Sequence, residues 1–327
     1  MRDALSVMDL DEAQAASAQH LVEDLRARHP GPDDEDFLRS APLETESLPR
    51  RLRAGVSGLR HGDMPPAALI RGFPVDDGAI GPTPGHWRER APDATEAQDY
   101  WLALLASLLG EPFCWSTLQD GRLYNDIHPI RGSEQHQTGH GSESPLEFHT
   151  EDAFHEYRCD YILLLSLRNH DRVPTTLATS RDIRLSAADR QVLFERRFVI
   201  RPDTEHRRHM TDAEIAAYEE PVAVLFGDRD EPGIRIDPPY MEALPGDEEA
   251  AGALAALGAQ LEAALTDVPL GPGDVLVVDN QRCVHGRKPF RPRLDGTDRW
   301  LRKVTVTRDL RKSAARHRRP RSRVLRG

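Results

Sequence analysis

The sequence predicts a mainly β protein, an all-β sandwich or jelly roll with flanking helices. Three observations predict it. From about residue 112 the chain breaks into short runs rich in Val, Ile and Leu. Turn residues separate those runs at regular intervals. The chain also lacks a Gly-rich phosphate loop, a GxSxG turn and any internal repeat.

The elements follow in order. Residues 10–28, LDEAQAASAQHLVEDLRAR, are good helix formers, and 30-PGPDDED-36 ends that helix. The Pro- and Gly-rich stretch 62–85 predicts short strands alternating with turns. A second helix spans Glu96 to Leu109 and stops at Gly110. Strands are expected over 160–168, 196–202, 221–227, 233–237, 274–280 and 300–308, with helices near 186–194, 211–219 and 247–266. The resulting division is an N-terminal helical and loop elaboration packed on the core (1–110), the core with lid insertions (111–310) and a basic tail (311–327).

Bulk composition excludes several classes. At 39% hydrophobic and 30% charged residues, the chain belongs to globular proteins with a core. The apolar stretch 101-WLALLASLLG-110 is half of the roughly 20 residues a membrane span needs. MRDALSVMDLDEAQ has no basic start followed by an apolar run, so a cytoplasmic location is expected. Cys114, Cys159 and Cys283 match no zinc or disulfide spacing. A net charge of −11 argues against nucleic acid as the main partner. The run 311-RKSAARHRRPRSRVLRG-327 reads as a solvated, disordered tail, with nucleic-acid or acidic-partner binding as the alternative.

The chemistry centres on 149-HTE-151. On a strand, His-x-Glu puts both side chains on one face. Alone it is weak: 14 histidines and 54 acids in 327 residues make about two His-x-acid pairs by chance, and the chain has two, the other being 61-HGD-63. His285 in 272-PGDVLVVDNQRCVHGR-287, about five residues beyond a buried strand, supplies a third ligand. Two nitrogens and an oxygen with open positions form the facial triad of non-haem Fe(II) oxygenases. Fourteen residues later Arg299 heads a strand, where its guanidinium can clamp the distal carboxylate of 2-oxoglutarate bidentately.

These residues, with 118-LQDGRLYNDIHP-129, 148–169 and 232-PGIRIDPPY-240, make the core from about 112 to 309 resemble the clavaminate synthase-like Fe(II)/2-oxoglutarate oxygenases of the taurine dioxygenase clan. The likeness is greatest to the free amino-acid hydroxylases of peptide-antibiotic pathways. The resemblance implies a double-stranded β-helix core. It implies iron ligands at His149, Glu151 and His285, and 2-oxoglutarate contacts at Arg299 and Thr176, or Thr175 if the register slips. It implies substrate contacts at Gln119, at the second oxygen of Glu151, at Lys303 in place of an arginine, and at Asp237. Arginine hydroxylases of this branch use an Asp-x-Asp pair for the guanidinium. This chain reads Asp237-Pro238-Pro239, so one carboxylate is gone and citrulline gains weight beside arginine.

The polar stretch 131–145 suits a lid and the segment 203–214 reads equally as a second lid or a solvated loop, with His136, His140 and His155 in supporting roles. The expected activity is hydroxylation of a β or γ carbon of a free polar or basic L-amino acid, using Fe(II), 2-oxoglutarate and O2, in secondary metabolism. The partner is a small amino-acid substrate, and a homo-oligomer is compatible with the sequence. Alternatives are a same-fold oxygenase acting on lysine, asparagine or a carrier-tethered amino acid, a desaturase, and a non-catalytic or zinc-binding jelly roll. Arg299 argues against the last, because a metal-binding module has no use for a dicarboxylate clamp.

Overall fold

The computed structural model describes residues 5–319 and 322–326. In chain order, β1 (Leu5–Asp9) leads into α1 (Glu12–Arg28), α2 (Glu35–Glu44) and α3 (Arg50–His61). Strand β2 (Ala67–Arg71), the single turn α4 (Asp77–Ile80) and α5 (Glu96–Leu109) follow. The core then runs through β3 (Glu111–Trp115), β4 (Asn125–Ile127), β5 (Leu146–His149), β6 (Tyr161–Arg168) and β7 (Pro174–Thr179). An outer segment holds α6 (Ala187–Leu193), β8 (Phe198–Ile200), α7 (Thr204–Arg207), α8 (Asp212–Ala216), β9 (Leu225–Phe226), β10 (Gly233–Ile234), β11 (Met241–Ala243) and α9 (Glu248–Ala264). The chain closes with β12 (Thr266–Pro269), β13 (Val275–Asp279), β14 (Cys283–Arg287), β15 (Trp300–Thr307) and β16 (Val324–Leu325).

Two sheets face each other. The large one has the order β1-β2-β13-β6-β15-β3-β16, with β4 also on β15; the small one is β12-β7-β14-β5. Alternation along β6 explains the layering. Tyr161, Leu163, Leu165 and Leu167 pack against the helical layer, whereas Ile162 and Leu164 join the core between the sheets. Helix α5 is buried from Tyr100 to Ala106 because it lies between the large sheet and α1–α3. Its Asp99 meets Arg302 of β15 through two 2.8 Å hydrogen bonds, and Asp126 completes this buried ion cluster. On the far side, α9 and α6 cover the outer face of the small sheet through Ala178 and Val284. Among the described residues no helix is long and apolar enough to cross a membrane.

Several expectations change. Within residues 1–110, β1 and β2 pair with each other in parallel and β2 with β13, so this segment extends the core sheet as well as packing on it. The stretch 62–85 holds one strand and one helical turn. The expected strands 221–227 and 233–237 contract to the two-residue pair β9 and β10. The tail is not a solvated run throughout: Val324 and Leu325 pair in parallel with Cys114 and Trp115. There Leu325 is buried in the inter-sheet core, and Arg323 is buried against the Pro112 carbonyl and 3.5 Å from Glu35. Two apolar residues gain more from the open edge of β3 than charge density had suggested.

Candidate active site

His149 is the last residue of β5, and its Cα pairs directly across the small sheet with His285 of β14. Two sequence readings are corrected here. Glu151 stands on the turn after β5, not on the strand, and His285 lies within its own strand, which reverses from β13 over three residues. The apolar strand β6 belongs to the opposite sheet and does not carry the ligand pair. Alternation along β14 puts Cys283, His285 and Arg287 on the face toward the large sheet, while Val284 faces α9. Gly286 is required between them, since a Cβ there would lie 2.5 Å from the Leu146 carbonyl.

The turn bearing Glu151 is pinned from two sides. Asn280 accepts from the Glu151 amide at 2.7 Å and donates to the Glu151 and Cys159 carbonyls, both at 3.0 Å. Thr150 exchanges hydrogen bonds with Ile236. Asp152 accepts from Trp115 Nε1 at 2.6 Å and lies 3.2 Å from His206 Nε2, which anchors α7 beside the turn.

The three ligand-type side chains converge. Glu151 Oε2 is 3.8 Å from His149 Nε2 and 3.4 Å from His285 Nε2, and one donor atom of each lies within 4.8 Å of the others. Atoms held about 2.1 Å from one cation lie at most about 4.2 Å apart, so small side-chain rotations close the set. His149 Nδ1 donates to the Glu147 carbonyl at 2.8 Å, so Nε2 is the nitrogen turned to Glu151 and the one that would bind a metal once its proton leaves. Burial opposes charge on both rings, but Glu151 and then Asp237 raise His149 to about 9, while burial and His149 push His285 down to about 4. The donor set thus favours one positive charge beside the carboxylate and fits a divalent cation of the nitrogen–nitrogen–oxygen type. Lys303 pairs with the other oxygen, Oε1.

Arg299 opens onto the same cleft. It is buried, donates to Thr175 Oγ1 at 3.1 Å, and among the described residues has no carboxylate within ion-pair distance. Its Nε has no partner, and burial followed by the neighbouring Arg287 pushes its pKa down to about 9. Two buried guanidiniums without a counter-ion fit an anionic co-substrate. Of the two threonines, Thr175 is the one that faces the cleft. Thr175 shares its face of β7 with Leu177 of the inner core, and Thr176 shares the opposite face with Ala178.

Gln119 also lines the cleft. Its Nε2 donates to the Asp126 carbonyl at 2.8 Å and reaches His140 Nε2 at 3.4 Å, while its Oε1 accepts from the Asp126 amide at 2.9 Å. His140 Nδ1 lies 3.1 Å from the His128 carbonyl, so it carries the proton and Nε2 accepts. The Gln119 amide is thus held at both ends, and its oxygen accepts one hydrogen bond among the described residues. Gln137, Thr138 and His140 place the stretch 131–145 on the cleft wall, and Arg287 holds it by the Gly141 and Ser144 carbonyls. His136 lies in a neighbouring cleft, and His155 stands behind the ligand turn.

At the far end three carboxylates gather: Asp237, with Asp203 and Glu205 from the start of α7. Sequence reading missed the last two, and also Arg287. The period-two offset from His285 was a signal for Arg287, but nothing local links residues 203 and 205 to 237. Burial, then Asp203 among like charges, pushes Asp237 up to about 7, and burial followed by Asp203 also raises Glu205. Among the described residues no Lys or Arg pairs with these three acids, and only Asp203 bonds through its carboxylate, to two α7 amides.

Comparison with known proteins agrees with this geometry. The model of a family described as "Taurine catabolism dioxygenase TauD, TfdA family" matches residues 102–305. Enduracididine beta-hydroxylase of Streptomyces hygroscopicus is 41% identical over 94% of this chain and 95% of its own length. L-ornithine/L-arginine 3-hydroxylase of Catenulispora acidiphila is 36% identical over 93% and 95%. Among solved structures, the non-heme iron oxygenase OrfP in complex with Fe, succinate and (3S)-hydroxy-L-Arg superposes with a TM-score of 0.91 at 39% identity, covering 98% of this chain and 99% of that one.

Proposed function

The chain belongs to the taurine catabolism dioxygenase TauD, TfdA family, and from that premise we propose that its substrate is a free L-amino acid with a cationic side chain, arginine first. The reaction class is that of a 2-oxoglutarate-dependent non-haem iron dioxygenase, an amino-acid hydroxylase. His149, Glu151 and His285 are the proposed iron ligands, and Arg299 with Thr175 and Arg287 the proposed 2-oxoglutarate contacts. Bound iron, 2-oxoglutarate and O2 together supply the oxidising power that converts a C–H bond to C–OH, with 2-oxoglutarate leaving as succinate and CO2.

The chain's own part is orientation. Lys303 and Glu151 Oε1, paired with each other, are matched to the two ends of an amino-acid zwitterion. The α-carboxylate takes Lys303, and the ammonium takes Glu151 Oε1 and the Gln119 oxygen that His140 and Asp126 hold in place. The side chain then runs to Asp237, Asp203 and Glu205. Anchoring both ends leaves the β or γ carbon as the point presented to the iron.

The observation that carries this reading is the trio of acids with no Lys or Arg within ion-pair distance among the described residues. Asp237 alone suited citrulline as well as arginine; three carboxylates favour a full positive charge over a neutral ureido group. The relatives that act on arginine and ornithine by name, and OrfP bound to 3-hydroxy-arginine, support the same choice. Turnover with arginine, citrulline, ornithine, lysine, asparagine and enduracididine tests it, by succinate release and gain of one oxygen in mass. Arginine or enduracididine should exceed citrulline by about tenfold or more in kcat/KM. Citrulline as the preferred substrate, or no turnover of any free amino acid, rejects the proposal.

A further inference from the structure

A second cleft lies behind the ligand turn, and the oxygenase chemistry does not use it. Its wall begins at Phe154, three residues after Glu151, and Tyr218 and Phe226 complete an aromatic lining. Arg158, Arg196, Arg235 and Arg316 bring positive charge to it. Arg235 is fixed by its hydrogen bonds to the Ala153 and Phe154 carbonyls. Arg158 donates to Gln281 at 3.2 Å, and its guanidinium lies 5.3 Å from the centre of the Phe226 ring. Arg196 has Glu220 at 3.7 Å, but among the described residues Arg158, Arg235 and Arg316 have no carboxylate within ion-pair distance.

Three buried polar atoms around the cleft also lack partners: Arg158 Nε, His155 Nε2 and Tyr218 Oη. All three are donors. His155 Nδ1 accepts from the Tyr157 amide at 2.9 Å, so its proton sits on Nε2. Burial, then Arg158 and Arg196, pushes the Arg235 pKa down to about 9. Glu156 and Glu220 also line the cleft, but among the described residues only Arg196 has one of them within ion-pair distance, so three guanidiniums and three buried polar atoms face aromatic walls without an anionic partner. The iron site already has its own anion clamp at Arg299, on the inner face of the small sheet.

We propose that this cleft is a second binding site, for an aromatic carboxylate, with the carboxylate among Arg158, Arg235 and Arg316 and the ring against Phe154, Tyr218 and Phe226. The same Arg235 that would receive the anion holds the turn after Glu151, so the site adjoins the catalytic centre without opening into it.

Isothermal titration of the purified protein with 2-naphthoate, and with neutral 2-naphthamide of the same shape, tests this. Naphthoate is expected to bind one to one and about tenfold or more tighter than the amide, since a charge-assisted contact is at stake. Arg158→Gln and Arg316→Glu should each weaken it by about fivefold or more. Arg316 is exposed, so its reversal leaves the fold intact. Arg299→Gln, which alters the other anion site, should leave naphthoate affinity within about twofold of the parent. Absence of binding, equal affinity for acid and amide, loss of binding in Arg299→Gln, or undiminished binding in both Arg158→Gln and Arg316→Glu overturns the proposal.

Discussion

Replacing Asp237 by asparagine removes one negative charge from the far end of the cleft while keeping its shape. Asp237 shares that end with Asp203 and Glu205, and among the described residues none of the three has a Lys or Arg within ion-pair distance. A hydrogen bond to a charged group contributes about 1.5–3 kcal/mol, and about 1.4 kcal/mol is a factor of ten. At pH 8, where a carboxyl with a pKa of about 7 is largely ionised, kcat/KM for arginine should therefore fall about 10- to 150-fold. Citrulline, with no charge to lose, should change by about threefold or less. The pH dependence has a definite sign. Burial and its acidic neighbours raise the Asp237 pKa, so its attraction for a cation is present above about 7 and is lost as pH falls through that value. At pH 6 only about a tenth of Asp237 is ionised before substrate binds, and the gap between parent and Asp237→Asn should narrow. Steady-state kinetics with both substrates at pH 6 and pH 8 measure all four quantities. Equal losses for arginine and citrulline, or a gap that widens at pH 6, would refute the electrostatic argument.

Three further outcomes are expected. Arg299→Lys, which keeps the charge but loses the planar fork, should raise KM for 2-oxoglutarate by about 10-fold or more, Thr175→Val by about fivefold, and Thr176→Val by less than about twofold; the reverse order for the two threonines would restore the register that the sequence suggested. His149→Ala and Glu151→Ala should each abolish stoichiometric Fe(II) binding in anaerobic equilibrium dialysis, whereas His61→Ala retains it; iron retained by both ligand variants would move the metal elsewhere. Arg302→Met leaves Asp99 buried without a cation, while Asp126 keeps Arg90, and should cost about 3–5 kcal/mol in urea unfolding; a loss below about 1 kcal/mol would mean the cluster is not charged.

Much of the site was legible because its chemistry is carried by local patterns. His149 and Glu151 sit two residues apart, and Arg299 follows His285 by fourteen. Secondary structure was legible where hydrophobic period and boundary residues agreed, as in α5 and in β6, β13 and β15, which fall on the expected ranges within a residue or so. Other features were not legible because short strands and edge pairings carry little signal of their own. Strand β14 is five residues long and contains Gly286, and β1 and β2 pair across almost sixty intervening residues. The choice between Thr175 and Thr176 depends on which face of β7 looks inward, a question that a one-residue shift reverses.

By itself the sequence determined the donor types of the candidate iron site, the guanidinium proposed for a dicarboxylate, the β-rich core and the long helices, since all of these follow from residue identity at short spacing. Only the tertiary structure decided which further side chains line that site. Asp203 and Glu205, more than thirty residues before Asp237, reach the same cleft because His206 anchors α7 to Asp152 beside the ligand turn, and in the proposed function they stand in for the carboxylate missing at Pro239. A contact of that kind is set by where two distant segments pack, and no pattern along the chain encodes it.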